Sequence, residues 1–400
     1  MSPTALTRRA FVQSALASTA LGLPGRGAPE ESIKVGILHS QTGDMALHEM
    51  RLYEAEGLAI EQINRAGGVL GRSIDPVVED ARSQFKSTFP QSAKKLLTRD
   101  KVAVVFGCWM SVSRQNVLPV FEENNGLLFY PVAYEGNECS KHVVYTGPLP
   151  NQQVLPAIDY FWQQGRRKFY LVGSDFGYAR HVNLLVTKHL RAKYQATPVG
   201  EKYVPLENQE KGYVRVERRE FEPIVADIQK SKVDMIVNTV WADPLIQLFD
   251  VLAGAKLGAD ELPVCSLLVS EDELRGLDPK KVKGHFAAWS YFQSVDTPRN
   301  REFVKRLKER SGPERVTTDP IEAAYAAVWL WKAAVEKAKS FDVDKVREAV
   351  RGLEIDVPSG KLKIDEKNQH AWRKFRLGRI RDDRQFDIVY ESKESIRPEP

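Results

Sequence analysis

Short apolar runs recur along this chain at regular intervals, each followed by a segment of helical periodicity, and that alternation limits the folds open to it. Ile33–Leu38, Val102–Phe106 and Leu127–Tyr130 carry almost no polar residue. Strands of that kind are buried on both faces, which requires a parallel sheet with helices on either side. Between them, Glu49–Ala66, Thr88–Asp100 and Ser113–Asn124 repeat apolar residues at helical spacing, and Ile74–Val78 supplies a further strand. Gly67-Gly68 predicts the end of the first helix. The pattern restarts at Lys168–Val172 and continues at Asp234–Thr239 and Val264–Leu268. The expected fold class is therefore α/β, with two doubly wound parallel-sheet lobes, and 400 residues suit two lobes better than one core. The polar stretch Asn208–Arg219 reads as a surface loop.

Residues 1–31 read as an address. Thr7-Arg8-Arg9-Ala10-Phe11-Val12 has the twin-arginine pattern, and the apolar run Ala10–Leu23 is shorter than the roughly 20 residues that span a bilayer. Pro24-Gly25-Arg26-Gly27 breaks it. Later, Ala323–Val335 comes nearest to a membrane helix, but Lys332 interrupts it, so no stable membrane insertion of the mature chain is expected. A net charge of +5 with Lys and Glu interspersed describes a solvated surface and no nucleic-acid stripe. The three cysteines, Cys108, Cys139 and Cys265, favour buried free thiols over a Cys108–Cys139 bridge.

Motifs for catalysis are missing their context. Gly67-Gly68-Val69-Leu70-Gly71 follows a helix, where a dinucleotide fingerprint follows a strand. Gly173-Ser174-Asp175-Phe176-Gly177 has its serine in the wrong place for a nucleophile elbow. His181 and His189 read as surface histidines, and no metal spacing is present. No enzyme activity, cofactor or metal is expected.

Ligands of open α/β sheets sit beyond the carboxyl ends of the strands. That rule selects Trp109-Met110-Ser111, Tyr130-Pro131-Val132, Phe176-Gly177-Tyr178 and Leu268-Val269-Ser270. Ser111 is the expected N-cap of its helix, whose N–H groups suit a carbonyl oxygen. These segments are rich in aromatics and hydroxyls and poor in free charge, which suits a neutral polar solute. Core packing is the competing role for Trp109 and Tyr130.

At the same segments the sequence resembles a known family. Phe106-Gly107-Cys108-Trp109-Met110-Ser111, Asn125-Gly126-Leu127-Leu128-Phe129-Tyr130-Pro131-Val132, Tyr134-Glu135-Gly136, Pro150-Asn151-Gln152-Gln153 and Ser294-Val295-Asp296-Thr297-Pro298 are similar to the urea-binding subunit of bacterial ABC transporters and its relative, the amide sensor of amidase operons. The resemblance runs from Ile33 to Ile396-Arg397-Pro398. It implies a type I periplasmic binding protein whose lobes, joined by three crossovers, close over urea or a short-chain amide. The crossovers are expected near Gly147–Asn151, Ala287–Phe292 and Gly352–Val357, giving one lobe of residues 32–148 with 290–353 and another of 149–289 with 354–400. The implied pocket comprises Trp109, Ser111, Tyr130, Val132, Phe176, Tyr178 and Leu268. The implied partner is a membrane permease and the implied location periplasmic; an exported sensor feeding a signalling partner is the alternative.

Trp109 and Val132 match the urea transporters, where the amide sensor has tyrosine and threonine. Phe176, Leu268 and Ala179 depart from the usual tyrosine, threonine or serine, and proline, and Trp241 is large for its strand end. Two pocket hydroxyls are thus missing. Urea has four heavy atoms, so its best binding is roughly −6 kcal/mol, and each lost hydrogen bond removes roughly 0.5–1.5 kcal/mol. Either main-chain groups replace the hydroxyls, or the ligand is a larger, more apolar amide.

Overall fold

The computed structural model describes residues 31–208, 212–213 and 216–400. The export segment expected over 1–31 lies outside them, apart from Glu31. The first sheet holds β1 (Ile33–His39), β2 (Ile74–Asp80), β3 (Val105–Gly107), β4 (Leu128–Tyr130) and β5 (Val143–Tyr145), in the order β2-β1-β3-β4-β5 and parallel throughout. Helices α1 (Ala46–Arg65), α2 (Thr88–Thr98) and α3 (Ser111–Glu123) make the crossovers. Gly67 and Gly68 end α1 with φ of +99° and +80°, and a Cβ at Gly68 would stand 2.1 Å from the Arg72 carbonyl oxygen. A side chain is excluded there, which is why the helix stops where the two glycines fall.

The second lobe begins with α4 (Pro150–Gln163), β6 (Phe169–Ser174), α5 (Gly177–Tyr194) and β7 (Gly200–Val204). The stretch expected as a loop holds a short hairpin, β8 (Glu207–Asn208) with β9 (Gly212–Tyr213), and the start of α6 (Arg218–Lys230). Then come β10 (Met235–Thr239), α7 (Pro244–Gly254), β11 (Val264–Ser266), α8 (Glu271–Leu274), α9 (Pro279–Val282) and β12 (Phe286–Trp289). The chain next returns to the first lobe, where α10 (Pro298–Ser311), α11 (Asp319–Ala338) and α12 (Val343–Val350) pack; α11 lies along α1. Among the described residues, no helix is long and apolar enough to cross a membrane; the apolar face of α11 is instead buried, with Trp331 1% exposed.

The third crossover expected near Gly352–Val357 needs correction. Strands β13 (Glu354–Val357), β14 (Gly360–Ile364) and β15 (Ala371–Trp372) form a small antiparallel sheet. Their Val357, Leu362, Ile364 and Ala371 share a core with Val35, Phe129 and Trp331 of the first lobe. His370 also bridges Tyr145 at the edge of β5. Apolar area is removed from water on the first lobe here, so the chain passes over only after Trp372. It then adds β16 (Arg376–Ile380) and β17 (Phe386–Glu391) antiparallel, completing a second sheet of order β17-β16-β12-β11-β10-β6-β7.

Candidate functional site

The carboxyl ends of both sheets face one cavity of about 630 Å³. It collects all seven side chains selected from the sequence: Trp109, Ser111, Tyr130 and Val132 from the first lobe, and Phe176, Tyr178 and Leu268 from the second. Local backbone geometry explains how they come there. A Cβ at Gly107 would lie 2.2 Å from the Leu38 carbonyl oxygen, so only glycine lets β3 end so close to β1. Cys108 then takes φ +66° and turns the chain, presenting Trp109 to the cavity. A Cβ at Gly147 would sit 2.3 Å from the Val132 carbonyl carbon, which fixes the first crossover against the cavity floor.

The hydrogen bonds revise two expected roles. Ser111 is not the N-cap; Met110 is, and Ser111 is the first residue of α3. Its hydroxyl is 2.6 Å from a Glu135 carboxylate oxygen and donates to it. The Tyr130 hydroxyl donates to the Trp109 carbonyl oxygen at 2.7 Å, and the residue is fully buried. Tyr130 therefore braces the Trp109 turn in addition to lining the cavity, and burial raises its phenol pKa well above the usual range. The Arg114 guanidinium lies 4.6 Å from the Tyr130 ring centroid and pairs with Glu138 at 2.8 Å, which locks the ring in place. On the opposite lobe the Tyr178 hydroxyl lies 3.4 Å from Gln153 Oε1.

Neither α3 nor α5 carries a side-chain cap on its first turn. Both helices begin in the cavity wall, so each turns its positive end toward the same space. Charged lining groups are Lys86, Glu135 and Asp175. Phe85, Leu206 and Trp241 extend the apolar wall. Of these, Glu135 and Trp241 stand in or near segments already marked by the strand-end rule, and Phe85 and Lys86 lie past the end of β2, where the same rule applies. The cysteines are unpaired; Cys108 and Cys265 are buried, while Cys139 is exposed, contrary to expectation. His181 is 2.9 Å from the Asn137 side-chain nitrogen, and His189 is 2.6 Å from Asp159.

Two doubly wound lobes enclosing a cavity at their strand ends define a type I periplasmic binding protein. The chain belongs to the family described as the periplasmic binding protein domain, whose profile matches residues 33–400. Among curated proteins, it is 24% identical over 364 residues to the leucine-, isoleucine-, valine-, threonine- and alanine-binding protein of Pseudomonas aeruginosa, covering 90% of this chain and 91% of that one. A limonene hydroxylase of Geobacillus stearothermophilus is 35% identical over 121 residues, only 30% of this chain and 22% of that one. Among solved structures, an ABC transporter solute-binding protein from R. palustris in complex with 4-hydroxybenzoate superposes with a TM-score of 0.79 at 21% identity, covering 91% of this chain and 98% of that chain. A leucine-binding protein from Thermotoga maritima does so at 0.74 and 17%, covering 90% and 98%.

Proposed function

We propose that this chain is the exported solute receptor of an ABC transporter, and that its solute is a neutral carboxamide with an apolar body larger than urea. The observation that carries the ligand reading is the pairing of Ser111 with Glu135 beside the uncapped start of α3, inside an aromatic cavity. A carboxylate accepts hydrogen bonds and cannot donate them, whereas a helix N-terminus offers N–H groups. A carboxamide answers both, placing its NH₂ on Glu135 and its carbonyl oxygen on the helix end. A bare carboxylate ligand would face Glu135 with Lys86 as its counter-charge, Asp175 being paired with Arg180 at 2.5 Å, and the like charge on Glu135 makes it a poorer match.

Size argues against urea itself. The cavity falls within the roughly 300–1,000 Å³ typical of drug-sized ligands, and four heavy atoms leave most of it unfilled. Phe176 and Leu268, which stand where hydroxyls are usual in the urea-binding relatives, add apolar wall instead. Urea and the shortest amides are therefore expected to bind weakly, and an aliphatic or aromatic carboxamide better. A second reading has its own support. An α-amino acid would place its ammonium on Glu135 and its carboxylate at a helix end, in line with the name of the Pseudomonas relative.

The periplasmic location and the twin-arginine route rest on Arg8-Arg9 and the apolar run that follows. The permease partner and the non-enzymatic role rest on the names of the full-length relatives; the partial hydroxylase match covers too little to carry an activity. A thermal-shift series with urea, acetamide, hexanamide, benzamide, leucine and 4-hydroxybenzoate tests the proposal. Hexanamide or benzamide is expected to give the largest stabilisation. Stabilisation by leucine alone, by 4-hydroxybenzoate alone or by urea above all others would overturn the carboxamide assignment.

A further inference from the structure

Beside the main cavity lies a second, smaller space of about 50 Å³. Its wall is mostly apolar, with Trp289 and Ile321 added, and it also carries charged and polar groups: His48 and Arg51 from α1, and Ser270, Asp272 and Glu273 from the start of α8. Trp109, Val132, Ala133, Trp241 and Leu268 line both spaces, so they form the partition between them. Three rings make the partition continuous across the lobes. The His48 ring centroid is 5.3 Å from Trp109 on one side and 5.2 Å from Trp241 on the other, tilted at 43° and 41°. Trp241 comes from the second lobe, and Ala242, at φ +62°, makes the turn that follows it. Trp241 is 7% exposed and belongs to a small cluster with Met45 and Leu206, apart from the main cores of either lobe.

We propose that Trp241, backed by His48 and Trp109, is a specificity-determining residue that sets the length of solute the cavity admits by closing it off from the inner chamber. This inference rests on the solute-receptor reading above but not on the choice of carboxamide. The partition is a physical stop: a ligand that fits against the Trp241 ring gains aromatic contact area, and one longer by two or three methylenes meets the ring. Removing the ring joins the two spaces. Trp241 packs in this small cluster and not in a main core, and the Trp241→Phe variant keeps a ring there as the control for lost packing.

The test uses two homologous ladders with the full mature chain and calorimetry: acetamide, butanamide, hexanamide and octanamide, and alanine, valine, leucine and phenylalanine. In the Trp241→Ala protein, the preference for long over short members of whichever ladder the parent binds is expected to rise at least tenfold, with Trp241→Phe intermediate. An equal loss across all members would assign Trp241 a merely structural role and overturn the inference. Binding of amino acids in place of amides would overturn the carboxamide reading and leave this one standing. A crystal structure of the Trp241→Ala protein gives a ligand-free readout. One continuous cavity is expected; two spaces still separated, with His48 fallen into the gap, would overturn the inference even where no ladder binds.

Discussion

The Arg51 guanidinium, on the first lobe, lies 2.8 Å from the Asp272 carboxylate on the second, and the pair is 14% and 11% exposed. It is a contact that exists only while the lobes are together. His48 stands next to it, 4.0 Å from Glu273. The contact between the lobes therefore takes two titratable groups of opposite sense out of water.

The pH dependence of solute affinity follows from that pairing. Burial raises the Asp272 pKa to about 6, with Arg51 opposing and Glu273 adding to the rise. Its contribution favours closure when the carboxyl is protonated and is lost as pH rises through about 6. Burial lowers the pKa of His48, against Asp272, with Arg51 assisting. Its contribution favours closure when the ring is neutral and is lost as pH falls below the ordinary value of about 6.5. The two trends oppose each other between pH 6.5 and 5. Relative to the parent, His48→Gln is expected to bind solute more tightly as pH drops over that window, and Asp272→Asn more weakly. Titration calorimetry at three pH values checks the order; a reversed order, or three parallel profiles, would show that these groups stay outside the closure.

Gln153 holds the first crossover to the second sheet. Its side-chain nitrogen donates to the Leu267 carbonyl oxygen at 2.9 Å and the Ala288 carbonyl oxygen at 2.7 Å, and the residue is 1% exposed. Gln153→Leu keeps the shape and strands two buried acceptors, each costing about 1–3 kcal/mol. A loss of roughly 2–4 kcal/mol in urea denaturation is expected; a loss under 1 kcal/mol would mean that water replaces the amide.

Arg373 opens the last passage into the second lobe and is 2% exposed, with Asp319 at 3.3 Å and Glu322 at 3.1 Å, both fully buried. Arg373→Met leaves two uncompensated carboxylates and is expected to cost about 3–5 kcal/mol. The triple change with Asp319→Asn and Glu322→Gln should recover much of that. Equal stability of the single variant and the parent in denaturant would contradict the pairing.

Thiol chemistry separates the cysteines. Burial raises all three thiol pKa values, but Cys108 and Cys265 are enclosed and beyond reach at neutral pH, whereas Cys139, raised by partial burial and by Glu138, is exposed. One thiol of the native protein should react with a chromogenic disulfide reagent, and the other two only after unfolding. A native protein with no reactive thiol would point to a Cys108–Cys139 bridge formed on export.

The sequence allowed the strand ends to be read because the parallel strands are almost wholly apolar and the segments past them are not. That contrast located Trp109, Tyr130, Tyr178 and Leu268 around one cavity. It did not reveal how the polar groups pair. Whether Ser111 is the N-cap or the first helical residue is a shift of one position, invisible in the residue types, yet it decides that the hydroxyl turns to Glu135. Ile355, Val357, Leu362 and Ile364 alternate as half-buried strands should, but alternation does not say which lobe they face, so the third crossover was expected some twenty residues early. His48 was passed over because it lies in the first turn of α1, where its ring is defined by Trp241 from the other lobe. A contact of that range leaves no local signal.

The central claim is that Glu135, held by Ser111, receives the ligand's N–H group. Calorimetric titration of the mature protein with hexanamide or benzamide, alongside Glu135→Gln and Ser111→Ala, tests it most directly. The parent is expected to bind one molecule. Glu135→Gln should weaken binding by about 1.5–3 kcal/mol, as for a hydrogen bond to a charged group, and Ser111→Ala by about 0.5–1.5 kcal/mol. Both variants binding like the parent, or a parent that gives no heat with any carboxamide, would contradict the account.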